Sequence, residues 1–241
     1  MAIKTKGVDN EEFLGFGEEA FRFLKGLTKN NDRDWFLPRK ATFEQELQRP
    51  MLQLILAVES EMKKRKIPLL SKAKAPLSRI YRDIRFSANK SPYHTFVSGT
   101  LHKQGKKTAA GALYIHVGEK EHFAAVGFWQ PERPVLTNWR LRMQAEPKAF
   151  LNMLKQLKGK NLSLDGGHSL QRMPRGFETE MDSTIGEYLR FQSFVIMHPL
   201  AKSDVMSAKL PQLVASFAAD AKPLLDYGWA VPVTKPTVFL D

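Results

Sequence analysis

The sequence predicts an α+β fold: a central, mostly antiparallel sheet laid out as a meander and flanked by N-terminal and C-terminal helices. Three observations carry that expectation. Apolar residues recur at helical spacing as far as Met62, the period shortens to that of strands from Leu77, and helical spacing returns from about residue 135. Helices, then consecutive strands, then helices is the order of an α+β domain rather than of a doubly wound α/β domain.

Taken in order, residues 11–27 place Phe13, Phe21, Leu24 and Leu27 on a helix whose early glutamates suit its positive end. TKNND breaks that pattern, and Asn31 or Asp32 can cap the next helix. There Phe43, Leu47, Met51, Leu54, Ile55, Val58 and Met62 form one apolar stripe, with Pro38 in a first turn and Pro50 expected to kink or divide the helix. Strands are expected at 78–86, 95–101, 111–117 and 122–129, with HKQGKKTAAG and GEKE as hairpin connections. Two short helices follow over 135–157, then a Gly-rich loop (KGKNLSLDGGHS), a strand at 190–197, a last helix over 203–226 and an extended tail. With no linker, repeat or low-complexity run, one domain is expected over 1–241, with tails at about 1–10 and 228–241.

Composition narrows the class. A chain that is 43% hydrophobic can build a real core. No apolar run is long enough to cross a bilayer, and the N-terminus has no apolar stretch of the secretory kind, so the expected location is cytoplasmic and no membrane partner is expected. Without a cysteine there is no disulfide, thiol nucleophile or Cys-ligated metal. The net charge of +12 is segregated: Met62–Lys107 holds 13 Lys/Arg against the single acid Asp83, while the rest of the chain balances at 24 and 24. Charge gathered in one segment suggests an anionic partner.

The centre of that segment is Arg79–His94, RIYRDIRFSANKSPYH. As a strand, it would put Arg79, Tyr81, Asp83 and Arg85 on one face, and Ile80, Arg82, Ile84 and Phe86 on the other. Guanidinium groups suit bidentate contact with phosphate or carboxylate. Asp83 among cations is a poor general base and a better orienter of a neighbouring arginine. Asn89, Lys90 and Pro92 suggest a turn with further donors, and Tyr81, Phe86 and Tyr93 offer rings on which a base could stack. Two readings compete. In one, the arginines are internal ties to Glu44, Glu46 or Asp34; in the other, Arg79, Arg82, Asp83, Arg85, Lys90 and Tyr93 build a ligand site.

The same residues resemble a known family. NNDRDWF (30–36), RIYRDIRFSANKSPYH (79–94), YIHV (114–117), GFWQPE (127–132) and PRGFE (174–178) are similar to the motifs of the uncharacterised family catalogued as domain of unknown function 2461, over about Phe21 to Trp229. Its signature falls on Asn31, Arg33, Trp35, Arg79, Arg82, Asp83, Arg85, Phe86, Lys90, Pro92, Tyr93, Trp129 and Pro131. His94 stands where lysine is commoner, and Ala88-Asn89 is less charged than usual. The resemblance implies a shared α+β fold and carries no assigned activity.

Other chemistry finds less support. His116 and His122 bracket a hairpin, but no zinc-ligand spacing accompanies them. Trp129 and Pro131 read as packing at a strand exit. Neither a P-loop, a GxGxxG fingerprint nor a GxSxG elbow is present, so no cofactor and no metal is expected. The first expectation is therefore a small-molecule site, binding or enzymatic, for a phosphorylated or carboxylated ligand. The alternatives are a nucleic-acid-binding module and a protein-interaction domain with structural arginines.

Overall fold

A computed structural model describes residues 12–71, 77–106 and 111–234. The first helix, α1 (Glu18–Lys29), begins later than its spacing suggests because Gly15 lies at φ +103°, where a Cβ would sit 2.1 Å from the Met206 carbonyl oxygen. Helix α2 (Arg33–Phe36) is capped by Asp32, whose carboxylate accepts from the Trp35 N–H at 2.8 Å. Pro38 lies in a single 3₁₀ turn before α3 (Lys40–Phe43). Pro50 does not divide the long helix in its middle. A π turn at Glu44–Gln48 precedes it, and α4 (Arg49–Lys64) carries the proline in its first turn, where no N–H is needed.

Five strands follow in the meander order β1-β2-β3-β4-β5: β1 (Leu69–Ser71), β2 (Phe96–Lys103), β3 (Ala112–Gly118), β4 (His122–Phe128) and β5 (Phe194–Pro199). Strand β1 pairs antiparallel with β2, and the GEKE turn closes with the Gly118 N–H on the Glu121 carbonyl at 2.9 Å. The remaining helices are α5 (Arg133–Ala145), α6 (Pro147–Lys158), α7 (Gly186–Leu189), α8 (Lys202–Val205), α9 (Leu210–Asp220) and α10 (Lys222–Trp229). The fold is α+β as expected.

Three expectations are corrected. Residues 78–86 are not a strand, making only isolated bridges at Leu77–Gly99 and Tyr81–Tyr93. The helix expected over 203–226 is three pieces, because Ser207 turns its hydroxyl to the Lys209 N–H and Pro211 and Pro223 open fresh helices. The strand expected at 190–197 begins at Phe194. Residues 107–110 of the first hairpin connection, and both chain ends, lie outside the described residues.

The chain groups into two compact units. The first comprises 1–107, 113–124 and 198–216. Its core joins Phe23, Leu24 and Leu27 of α1, Leu52, Ile55 and Val58 of α4, and Leu101, Leu113, Ile115 and Val117 of the sheet. Strand β2 lies so close to α4 that a Cβ on Gly99 would come within 2.5 Å of Ile55. The second comprises 108–112, 125–197 and 217–241. It is built on Trp139, which stacks on Phe194 with ring centres 4.0 Å apart and meets Phe128 edge-on. Arg140 is buried there without a carboxylate among the described residues. It donates to the Leu189 and Phe191 carbonyls, and burial lowers its pKa to about 10.

Candidate functional site

The arginine segment is a loop closed at its base by a two-residue ribbon. The Arg82 N–H donates to the Pro92 carbonyl at 2.9 Å, and the His94 N–H donates to the Ile80 carbonyl at 2.7 Å. Residues 83–91 project from that base, and their own polar groups tie them. Lys90 Nζ donates to the Ile84 carbonyl at 3.0 Å, the Ser91 N–H to Asn89 Oδ1 at 2.9 Å, and an Arg82 guanidinium N–H to the Ser91 carbonyl at 3.0 Å. Backbone groups that a strand would pair with a neighbour are satisfied inside the loop instead.

The base is fastened to the N-terminal motif across 62 residues of sequence. Asn31 Nδ2 donates to the Tyr93 carbonyl, and the Tyr93 N–H donates to Asn31 Oδ1, both at 3.0 Å. The side-chain amide thus completes both hydrogen bonds of Tyr93 as a neighbouring strand would. The Tyr93 ring is buried (1% exposed) and stacks on Phe36 at 4.1 Å. Tyr93 is therefore a buried anchor, and its ring has no face for a ligand. Burial raises its pKa, with a smaller contribution from the nearby Tyr81, while Arg33 pulls the other way.

The three arginines do different things. Arg85 faces Asp83 in a bidentate pair, Nε to Oδ1 at 2.9 Å and a terminal nitrogen to Oδ2 at 2.7 Å. Those hydrogen bonds hold the Asp83 carboxyl below its ordinary range and raise the Arg85 pKa. Asp83 orients Arg85 alone. Arg82 is half-buried and uses one N–H on the Ser91 carbonyl, so it ties the loop together as well as carrying charge. Arg79 is exposed and makes no hydrogen bond or ion pair among the described residues. None of the three pairs with Asp34, Glu44 or Glu46; Glu44 pairs with Lys40 at 3.3 Å instead. The alternating-face expectation fails most plainly at Phe86, which is 97% exposed rather than part of an apolar row.

The sheet adds a row of rings that sequence reasoning did not assemble. His94 lies 4.7 Å from Phe96, Phe96 lies 4.3 Å from His116, and His116 stacks on Phe123 at 4.8 Å. Tyr114, which shares the His116 face of β3, brings its hydroxyl within 3.2 Å of His116 Nδ1. Burial, then the neighbouring His122 and His94, push the His116 pKa down to about 4. Burial and then Arg82 lower that of His94, while burial and then Lys202 lower that of His122. The Tyr-x-His spacing in an alternating strand was the available signal. Among the described residues no group of three or more His, Asp or Glu could hold a metal ion, and no helix is long and apolar enough to cross a membrane. A shallow groove of about 290 Å³ between α4 and the start of α9, lined by Gln53, Leu56, Ser60, Lys64 and Gln212, contains no signature residue.

Of the other motif residues, Trp129 is 58% exposed with His168 edge-on to its ring, so it does not serve as packing at the strand exit. Phe177 of PRGFE is buried, and Glu178 accepts from the Gly176 N–H.

No curated protein and no solved structure matches the chain. The sequence model of one family, described as "Conserved hypothetical protein (DUF2461)", matches residues 19–227. With the match spanning nearly the whole chain, and with Asn31 joining the family's first motif to its arginine-rich one, this protein belongs to the DUF2461 family.

Proposed function

We propose that this protein binds the anionic group of a phosphorylated or carboxylated small molecule at Arg79 and Arg82, beside the base of the 83–91 loop. The observation that carries this reading is the unequal treatment of three neighbouring arginines. Arg85 has a protein carboxylate, whereas Arg79 and Arg82 have none among the described residues. Arg82 is half-buried and spends one N–H on the Ser91 carbonyl, while Arg79 is exposed and spends none on the described residues. Their remaining N–H groups can donate to an external anion, and the planar fork suits phosphate or carboxylate.

The loop ties support the same reading. Lys90 spends one donor on the Ile84 carbonyl and keeps the others, so it is positioned to assist. Asp83 serves by neutralising and aiming Arg85, and Tyr93 by anchoring the base. The experiment is a thermal-shift series with inorganic phosphate, sugar phosphates, nucleotides and dicarboxylates. A ligand at 100 times its dissociation constant stabilises by about 2.7 kcal/mol, a shift of a few degrees for a chain of this size. The reading predicts such a shift with at least one of these anions, lost in Arg79→Ala. No shift with any of them contradicts it.

A nucleic-acid module is the second reading, favoured by two exposed rings on this cationic loop, Tyr81 (55%) and Phe86 (97%). It predicts oligonucleotide binding that weakens steeply with salt.

A further inference from the structure

The loop presents more than charge. Phe86 is almost wholly in solvent, and Tyr81, between Arg79 and Arg82 in the chain, is more than half so. Tyr81 rests on the buried Tyr93 with ring centres 5.5 Å apart, and that packing fixes the ring while leaving much of it uncovered. Phe86 is reached by the Asp83–Arg85 pair: the guanidinium that Asp83 grips at two points lies over the Phe86 ring, 5.9 Å from its centre. Single exposed apolar residues need no explanation. Two aromatic rings on one internally tied cationic loop, one of them attended by a charge-neutralised arginine, are a different matter. The Asp83–Arg85 pair carries no net charge, and its guanidinium lies beside the exposed Phe86 ring.

We infer that the anion recognised at Arg79 and Arg82 is the phosphate of a base–phosphate unit whose flat ring stacks on Tyr81 and Phe86. The inference rests on the anion site proposed above and adds the class of ligand, a nucleotide either free or within a single strand. Stacking suits this surface because exposed rings accept any base and need no enclosed pocket. A phosphate held by guanidinium groups leaves the base to lie against the nearest exposed ring. A sugar phosphate or a plain dicarboxylate would use the arginines and leave both rings idle.

The test is calorimetric titration of the full chain with inorganic phosphate, adenosine 5′-monophosphate and a ten-residue oligothymidylate. Wild type is compared with the double variant Tyr81→Leu/Phe86→Leu and with Phe86→Leu alone. Leucine keeps an apolar side chain of similar reach and removes the ring, and the exposure of Phe86 makes its single variant safe for folding. The expected result is that the nucleotide binds at least about tenfold more tightly than phosphate, as one stacked base provides. The double variant then loses that advantage while binding phosphate as before. Phe86→Leu alone weakens the mononucleotide and the oligonucleotide alike, since each stacks a base on that ring. A larger gain for the oligonucleotide, with steep salt dependence, identifies a strand as the source. Equal affinity for phosphate and nucleotide in wild type overturns the inference and leaves the anion site standing. So does a nucleotide advantage that survives in the leucine variants. Binding of none of the three overturns the anion site, and the inference with it.

Discussion

At the scale of single residues, Asn31 and His116 carry the sharpest expectations. Asn31 supplies both hydrogen bonds to the backbone of buried Tyr93. Asn31→Ala leaves a buried N–H and C=O unpaired and is expected to cost about 1–3 kcal/mol in urea unfolding. Asn31→Asp keeps the acceptor and loses the donor, so it should fall between alanine and wild type. An alanine variant as stable as wild type would show that the clasp is dispensable. His116 is held neutral by burial between Phe96 and Phe123, with His94, His122, Glu121 and Tyr114 as its polar neighbours. Its folded pKa of about 4 lies below the unfolded value near 6.5, so between those values the unfolded chain takes up a proton that the folded chain refuses. That contribution to stability is complete above about pH 6.5 and is lost as the pH falls towards 4, by about 2 kcal/mol after solvent screening. His94 and His122 act in the same direction. Urea midpoints between pH 7 and 4.5 should fall less in His116→Phe than in wild type. An unchanged slope would contradict this assignment.

Among the elements, legibility followed how local the determining physics is. The long stripe from Phe43 to Met62 gave a helix because a 3.6-residue period and one buried face fix each other. The strands β2 to β4 were readable within two residues, since the turn at Gly118–Glu121 and the alternation along Leu113, Ile115 and Val117 are both local. Residues 78–86 alternate in the same way but are not a strand. Their ties run to the Ser91 carbonyl, to Asp83 and to the bridge with Tyr93, none of which leaves a mark in hydropathy. Pro211 and Pro223 mark the two breaks in the last helical stretch as first-turn prolines do, a signal that the expectation of one helix over 203–226 passed over. Strand β4 offers its own test. Gly127 sits at φ +143°, and a Cβ there would lie 2.1 Å from the Phe194 carbonyl oxygen on β5. Gly127→Ala should therefore destabilise the protein by about 2–3 kcal/mol, by clash as well as by backbone strain. A thermal midpoint within a degree of wild type would show that β4 and β5 can part without cost.

For the whole molecule, the dominant fact is where the charge lies. The formal excess of +12 falls within Met62–Lys107, and the structure sorts part of it into used and unused cations. Arg85 is matched by Asp83, Lys63 by Glu59 and Lys64 by Glu61, whereas Arg79 and Arg82 have no carboxylate among the described residues. The sequence could point to the segment and to its guanidinium groups. It could not say which of them the fold would spend on itself, because that depends on loop closure and on the long-range Asn31–Tyr93 clasp. The family assignment accounts for the shared motifs without supplying a ligand. The division of labour between Arg79 and Arg85 can be read out by phosphate binding followed by ³¹P NMR in matched single variants. Wild type and Arg85→Ala are expected to bind phosphate alike, and Arg79→Ala to lose the binding while keeping the wild-type circular dichroism spectrum. Phosphate binding that survives Arg79→Ala and disappears in Arg85→Ala would contradict it.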